Sequence, residues 1–152
     1  MSVEVRRAGV RDIDAVAPMF DAYRQFYSQP GDPALARGFL HDRIARDESV
    51  LLLAERNGIA VGFTQLFPMF SSVRAARIWV LNDLYVAAEA RRGGVARSLL
   101  DAAAQFARAD GAARIVLETA PDNTAARALY RGAGWEEDDS QWYGLSLAAR
   151  SE

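Results

Sequence analysis

Arg91-Arg92-Gly93-Gly94-Val95-Ala96 stands between a nearly continuous apolar run, Ile78 to Val86, and an apolar stripe at helical spacing, Val95, Leu99, Leu100, Ala103 and Phe106. The run before it is the mark of a central strand buried on both faces, and the stripe after it is an amphipathic helix that ends before Gly111. Residues 112–119 return to a buried β-rich run. Strand, helix and strand in that order imply a parallel pair joined by a crossover helix. At the join, the glycines let the chain turn tightly and let backbone N–H groups converge on one spot. The helix N-terminus adds donors without helical partners and the positive end of its dipole, while Arg91, Arg92 and Arg97 add fixed charge. Together they make an anion site suited to a pyrophosphate. It is not a Walker loop, because no Gly-Lys-Ser/Thr follows, and the glycine spacing is wrong for the dinucleotide fingerprint. A solvated turn at a helix start would look the same in isolation, so the surrounding sequence has to decide.

Upstream, Val3, Val5 and Arg7 alternate with charged neighbours and predict an edge strand near residues 3–8. Ile13, Val16, Ala17, Phe20, Tyr23, Phe26 and Tyr27 recur at helical spacing and predict an amphipathic helix between Val10 and Gln29. Pro30-Gly31-Asp32-Pro33 breaks it, with Asp32 as cap and Pro33 as first residue of a second helix whose buried stripe is Leu35, Phe39, Leu40 and Ile44. Ser49–Glu55 and Ile59–Phe67 read as strands joined by the hairpin turn Asn57-Gly58, and Ser71-Ser72-Val73 is the next turn. Downstream, 124–133 is a short helix and 141–148 a final strand. No repeat or linker divides the chain, so a single domain over 1–152 is expected, mixed α/β with a central sheet.

Composition narrows the chemistry. The 152 residues are 51% hydrophobic and 25% charged, average globular usage that excludes disorder and fibrous repeats. With no cysteine there is no disulfide, cysteine–zinc site or cysteine nucleophile, and the single histidine, His41, argues against histidine metal sites and Ser-His-Asp catalysis. His41 reads as a surface or satisfied helix residue rather than a base. All 18 basic side chains are arginine, which forks onto phosphate or carboxylate but forms no Schiff base. A net charge of −2 gives no support for nucleic-acid binding. Neither a membrane span nor an apolar leader is legible, and a cytoplasmic protein is expected.

Two motifs in order then carry a resemblance. Arg91-x-x-Gly94-x-Ala96 after Leu81-Asn82-Asp83-Leu84-Tyr85-Val86, followed by Asn123-x-x-Ala126-x-x-Leu129-Tyr130-x-x-x-Gly134-Trp135, resembles the acyl-CoA loop and second signature of the GNAT superfamily of N-acetyltransferases. The upstream element order matches too, so the resemblance spans essentially the whole chain. It implies a mostly antiparallel central sheet with one splayed parallel pair of strands and flanking helices, and acetyl-CoA as cosubstrate without a metal.

Residue by residue, it implies that the backbone of Leu84, Tyr85 and Val86 pairs with the pantetheine arm as an added strand, one of their N–H groups polarising the thioester carbonyl. The N–H groups of Arg92, Gly93, Gly94, Val95, Ala96 and Arg97 would take the pyrophosphate, with Arg91 adding charge. Asn123 is either a contact to the arm or a plain helix cap, or both, since its carbonyl and amide are separate groups. Tyr130 would hand a proton to the leaving thiolate, against the plainer reading of a buried helix aromatic. Gly134 would close that helix and Trp135 pack in the core. Asp83 is the candidate base or amine anchor, sharing a strand face with Trp79, Leu81 and Tyr85 unless a bulge intervenes, with Glu118 as rival. Without cysteine, direct transfer in a ternary complex is the expected mechanism.

The acceptor is the open part. Tyr23, Phe26 and Tyr27, with Phe67, Met69 and Phe70, either wall a pocket for a cation or are ordinary core. A small primary amine or polyamine is the expected acceptor, with a protein or peptide amine next; a non-catalytic acyl-CoA-binding module is the rival from another class. A nucleotide-binding α/β protein would have to bind ATP or NAD as well as CoA. Trp142 and Tyr143 on the expected last strand suggest a homodimer face.

Overall fold

The structure, a computed structural model, describes residues 2–148, which leaves Met1 and 149–152 of the expected domain outside it. Five strands lie in sequence order in one sheet: β1 (Glu4–Arg7), β2 (Val50–Arg56), β3 (Ile59–Ser71), β4 (Ala76–Val86) and β5 (Arg114–Val116). The first four are antiparallel and β4–β5 is parallel, as a crossover through a helix requires. The helices are α1 (Ile13–Phe26), α2 (Pro33–Ala45), α3 (Val95–Ala109) and α4 (Thr124–Gly132). This is the mixed α/β, largely antiparallel sheet with one parallel pair that the sequence predicts.

The two faces of the sheet carry separate cores. Val50, Leu52 and Ala54 alternate with Leu51 and Leu53, so β2 is apolar on both sides. The first set joins Val61, Leu66, Trp79 and Leu81 against Val95, Leu99, Leu100 and Ala103 of α3, while Leu129 and Tyr130 of α4 lean on that core. Leu51, Leu53 and Phe63 face Ile13, Val16, Phe20, Ala36 and Leu40 of α1 and α2. Gly62 lets β3 come close to both β4 and α3: a Cβ there would sit 2.8 Å from the Tyr85 carbonyl oxygen and 3.1 Å from Val95. The Asp32 carboxylate caps α2 through the Leu35 N–H at 3.1 Å, with Pro33 opening the helix as predicted.

Several boundaries differ from the sequence reading. A 3₁₀ turn, Val10–Asp12, precedes α1, and β3 runs four residues further, to Ser71. In α2 the buried residues are Ala36 and Leu40; Leu35 and Phe39 are exposed, the Phe39 ring stacking 5.8 Å from Phe20. The strand expected over 112–119 is three residues long and half-buried, since Ala112 bonds back to Ala107 and β4 and β5 part after Val80–Val116. The strand expected over 141–148 is not formed. Those residues carry no helix or strand and no ladder partner, and Trp142, Tyr143, Leu145 and Leu147 are exposed. Alternation specifies which faces a strand would have, but a strand also needs an edge to pair with.

The difference with most consequence lies in β4. Leu66 pairs with Leu81 and Gln65 with Asp83, so Asn82 is an extra residue, a bulge. Trp79 and Leu81 therefore face α3, whereas Asp83 and Tyr85 face α1, contrary to the single shared face that regular alternation would give.

Candidate active site

The Arg91–Ala96 stretch forms a loop over the C-terminal end of β4. Arg92 and Gly94 both take positive φ, 67° and 78°, which turns the chain sharply into α3 with Gly94 as its N-cap. Ser98 N–H bonds the Gly94 carbonyl at 3.0 Å, which leaves the N–H groups of Val95, Ala96 and Arg97 directed out of the helix start. They open on a cleft of about 220 Å³ lined by Val86, Arg91, Arg92, Gly94, Ala96 and Leu129 among others. The helix dipole and the two arginines make this cleft favourable to an anion. Arg97 is committed elsewhere: its guanidinium pairs with Asp101 at 3.1 Å and donates to the Gly132 carbonyl of α4 at 3.2 Å, tying the two helices together. Arg91 Nε donates to the Val86 carbonyl at 3.1 Å.

Gly93 has a neighbour that sequence reading missed. A Cβ at Gly93 would lie 2.7 Å from Arg56 Nη2, so the guanidinium of β2 fills the space under the loop. Its Nε is buried without a hydrogen-bond partner among the described residues.

Below the loop, β4 and β5 are paired only from Ile78–Val80 to Arg114–Val116. Leu84, Tyr85 and Val86 are half-buried and lie beyond that pairing, so the edge of β4 toward β5 is open along them. An extended polar chain could add there as a strand. Asn123 caps α4, accepting from the Ala126 N–H at 3.2 Å. Gly134, at φ 92°, follows that helix, and Trp135 packs its ring 6.4 Å from Tyr130. The half-buried Tyr130 phenol is pushed up from its ordinary value, first by loss of solvent and then by Tyr27, so it stays protonated.

Asp83 sits at the floor on the α1 side, 4% exposed. Gln65 Nε2 donates to Oδ2 at 2.6 Å and Asn82 Nδ2 to Oδ1 at 2.9 Å. Burial pushes the carboxyl up from its usual range, while Gln65, Asn82 and the Tyr23 hydroxyl pull it back down. Above it stand Tyr23, Tyr27, Phe63 and Tyr85: Tyr23 lies 5.1 Å from Tyr27, 6.1 Å from Phe63 and 6.4 Å from Tyr85, ring to ring. Tyr23 is itself held protonated, chiefly by burial, then by Asp83 and Tyr27, with Tyr130 contributing. Asp83 of β4 and Tyr130 of α4 thus both act on the Tyr23 phenol of α1.

Other candidates lie apart. Glu118 is exposed past the end of β5, and His41 is on the surface of α2, 3.5 Å from Asp42. Phe26 is exposed beside Tyr27, and Phe70 at the far end of β3 lies under the Arg77 guanidinium. Among the described residues, no group of His, Asp and Glu is placed to hold a metal ion, and no helix is long and apolar enough to cross a membrane.

Comparison with known proteins agrees with this geometry. The model of the Acetyltransferase (GNAT) family matches residues 16–135. An uncharacterized N-acetyltransferase of Bacillus subtilis (strain 168), YhfO, is 46% identical over 136 residues, 90% of this chain and 91% of its own. An aminoglycoside N(6′)-acetyltransferase type 1 of Klebsiella aerogenes is 32% identical over 101 residues, 65% of this chain and 66% of its own. The crystal structure of a probable acetyltransferase superposes with a TM-score of 0.92 at 40% identity, covering 97% of this chain and 99% of that one. An anion cleft at a helix start, an open strand edge below it and a match over most of the length have one reading: the chain is an acetyltransferase of the GNAT family.

Proposed function

We propose that this chain acetylates a small primary amine from acetyl-CoA, by direct attack within a ternary complex, as a single cytoplasmic domain over residues 1–152. The observation that carries the acceptor side is Asp83: a buried carboxylate, without an arginine or histidine partner among the described residues, under an aromatic wall and beside the open edge of β4. Burial favours the neutral form of such a carboxyl, and a bound cation would hold it ionised; the phenol and phenyl faces around it favour a cation as well. The Klebsiella aerogenes relative, named for acetylation of an aminoglycoside, lends support to a small polar amine.

In this reading the N–H groups of Arg92 to Arg97 hold the pyrophosphate, with Arg91 and Arg92 adding charge, and Leu84, Tyr85 and Val86 hold the pantetheine arm. Capping leaves the Asn123 amide nitrogen as the group that would meet the arm. Asp83 binds the acceptor as an ammonium and, directly or through water, takes the proton it must lose. The freed nitrogen lone pair attacks the thioester carbonyl carbon, a backbone N–H of the β4 edge stabilises the oxygen, the nitrogen gives up its second proton to solvent, and the C–S bond breaks. Tyr130 gives its proton to the departing sulfur and regains one from solvent. The balance is acetyl-CoA and an ammonium in, an amide, CoA and a proton out, with no metal required. The reading includes a homodimer in which a second copy covers Trp142, Tyr143, Leu145 and Leu147.

The test is thiol release from acetyl-CoA against a panel of polyamines, aminoglycosides, amino acids and short peptides. Turnover of small amines is the expected result. Turnover of peptides with inert diamines would transfer the reading to a protein amine, and tight CoA binding without any turnover would favour a sensor that has lost transfer.

A further inference from the structure

Thr64 and Gln65 interrupt an otherwise apolar stretch of β3, Val61 to Leu66, and both are fully buried. Thr64 is explained by the bulge: its hydroxyl donates to the Asp83 carbonyl at 2.7 Å. Gln65 serves no backbone group. Its amide bridges two side chains, accepting from Ser49 Oγ at 2.9 Å and donating to Asp83 Oδ2 at 2.6 Å. Phe63 and Leu66 beside it show that apolar side chains fit this sheet, and an apolar residue would carry no desolvation cost. A buried amide at that cost needs a use.

Resting on the acceptor reading above, we propose that Gln65, supported by Ser49, is a positioning residue that holds Asp83 as the anion that receives the acceptor's ammonium. The orientation of the amide and the charge of Asp83 are linked. With Nε2 toward Asp83 the short contact suits a carboxylate; with the amide reversed, Oε1 would oppose Oδ2 and the contact would need a proton between them. Ser49 bonds the other end of the amide and holds it against Asp83; because a hydroxyl can accept as well as donate, the short contact with the carboxylate is what sets Nε2 toward Asp83. Asn82 offers a second donor to Oδ1, made available by the bulge. Among the described residues, the titratable group that meets Asp83 is Tyr23 of α1; Tyr27 and, from α4, Tyr130 lie beyond it against Tyr23, and the Arg91 guanidinium lies over the Tyr85 ring at 5.9 Å. The amides of Gln65 and Asn82 are therefore the donors that counter burial, while the Tyr23 hydroxyl beside them donates to the Asn82 carbonyl at 3.3 Å.

The experiment is a ¹³C NMR titration of the Asp83 carboxyl in the full chain labelled at aspartate Cγ, with Asp83→Asn giving the assignment. Gln65→Leu removes the donor, and its titration midpoint is expected to rise by about one unit, tenfold in proton affinity, or more. Gln65→Glu replaces a donor by an acceptor and raises it further. Ser49→Ala gives a smaller rise, and Ser49→Thr, which keeps the hydroxyl, restores the wild-type value. Should Gln65→Leu not fold, the Ser49 pair carries the test. Midpoints in Gln65→Leu and Ser49→Ala that match wild type overturn the positioning role. The acceptor reading fails separately, by wild-type thiol release in Asp83→Asn.

Discussion

Replacing Tyr130 by Phe removes one oxygen and tests one step. The ring keeps its place against Trp135 and the α3 core, and among the described residues the hydroxyl has no hydrogen-bond partner to lose. Stability should therefore change by less than about 1 kcal/mol. Catalysis should not be spared. General acids contribute roughly 10²–10⁴-fold, and a thiolate with a conjugate acid near pKa ~8.5 is already a tolerable leaving group, so the low end applies. A fall in kcat of about 10²-fold corresponds to about 2.7 kcal/mol in the barrier. Acetyl-CoA affinity should be unchanged, because the phenol acts on the sulfur only as it leaves. The sign with pH follows from the structure: burial holds the phenol above its ordinary value, so wild-type turnover should not decline through loss of this proton until pH exceeds 10. The assay is thiol release at saturating acetyl-CoA, with CoA binding by calorimetry and melting by circular dichroism. A Phe variant that keeps more than a third of wild-type kcat would refute the role, as would one whose loss is matched by weaker CoA binding.

Other substitutions probe the scaffold. Gly62→Ala places a Cβ 2.8 Å from the Tyr85 carbonyl oxygen, so it should cost about 1–3 kcal/mol in denaturant unfolding and weaken acetyl-CoA binding by shifting the β4 edge. Gly94→Ala puts a side chain at φ 78°, costing about 1–2 kcal/mol and misaiming the first N–H groups of α3; calorimetry with CoA should register the loss. Arg6 holds the Asp12 carboxyl down to about 2 through their paired hydrogen bonds. A depressed carboxyl adds stability above the unfolded value near ~3.9 that is lost as pH falls through the folded one, so Asp12→Asn should destabilise at pH 5 and above and converge with wild type toward pH 2. Removing the apolar row by Trp142→Ser with Leu145→Ser should shift sedimentation from dimer to monomer; a wild-type chain that is already monomeric at high concentration would refute the dimer.

Much of the fold was legible because local signals agreed with one another. Pro33 after Asp32, Asn57-Gly58 and the Gly93-Gly94 start of α3 each have one physical meaning, and each is met. What stayed hidden depends on partners distant in sequence. Alternation through β4 assumes a regular ladder, and the bulge at Asn82 is set by pairing with β3, so the face of Asp83 could not be read. Gln65 and Thr64 did leave a trace, two polar residues in a buried strand, but nothing in the sequence says that Gln65 joins Ser49 to Asp83. Arg56 under Gly93 left none. The apolar row of 142–147 was visible as a pattern, while the edge it would need was not, since β5 is only three residues long.

The most direct test of the account is the comparison of wild type with Asp83→Asn on the best acceptor amine from the panel, by thiol release and by acetyl-CoA calorimetry. The account predicts at least a 10²-fold fall in kcat/KM for the amine with acetyl-CoA binding unchanged, because an anchor and proton acceptor is lost while the loop and strand edge are intact. Turnover of the amine by Asp83→Asn at the wild-type rate would contradict it.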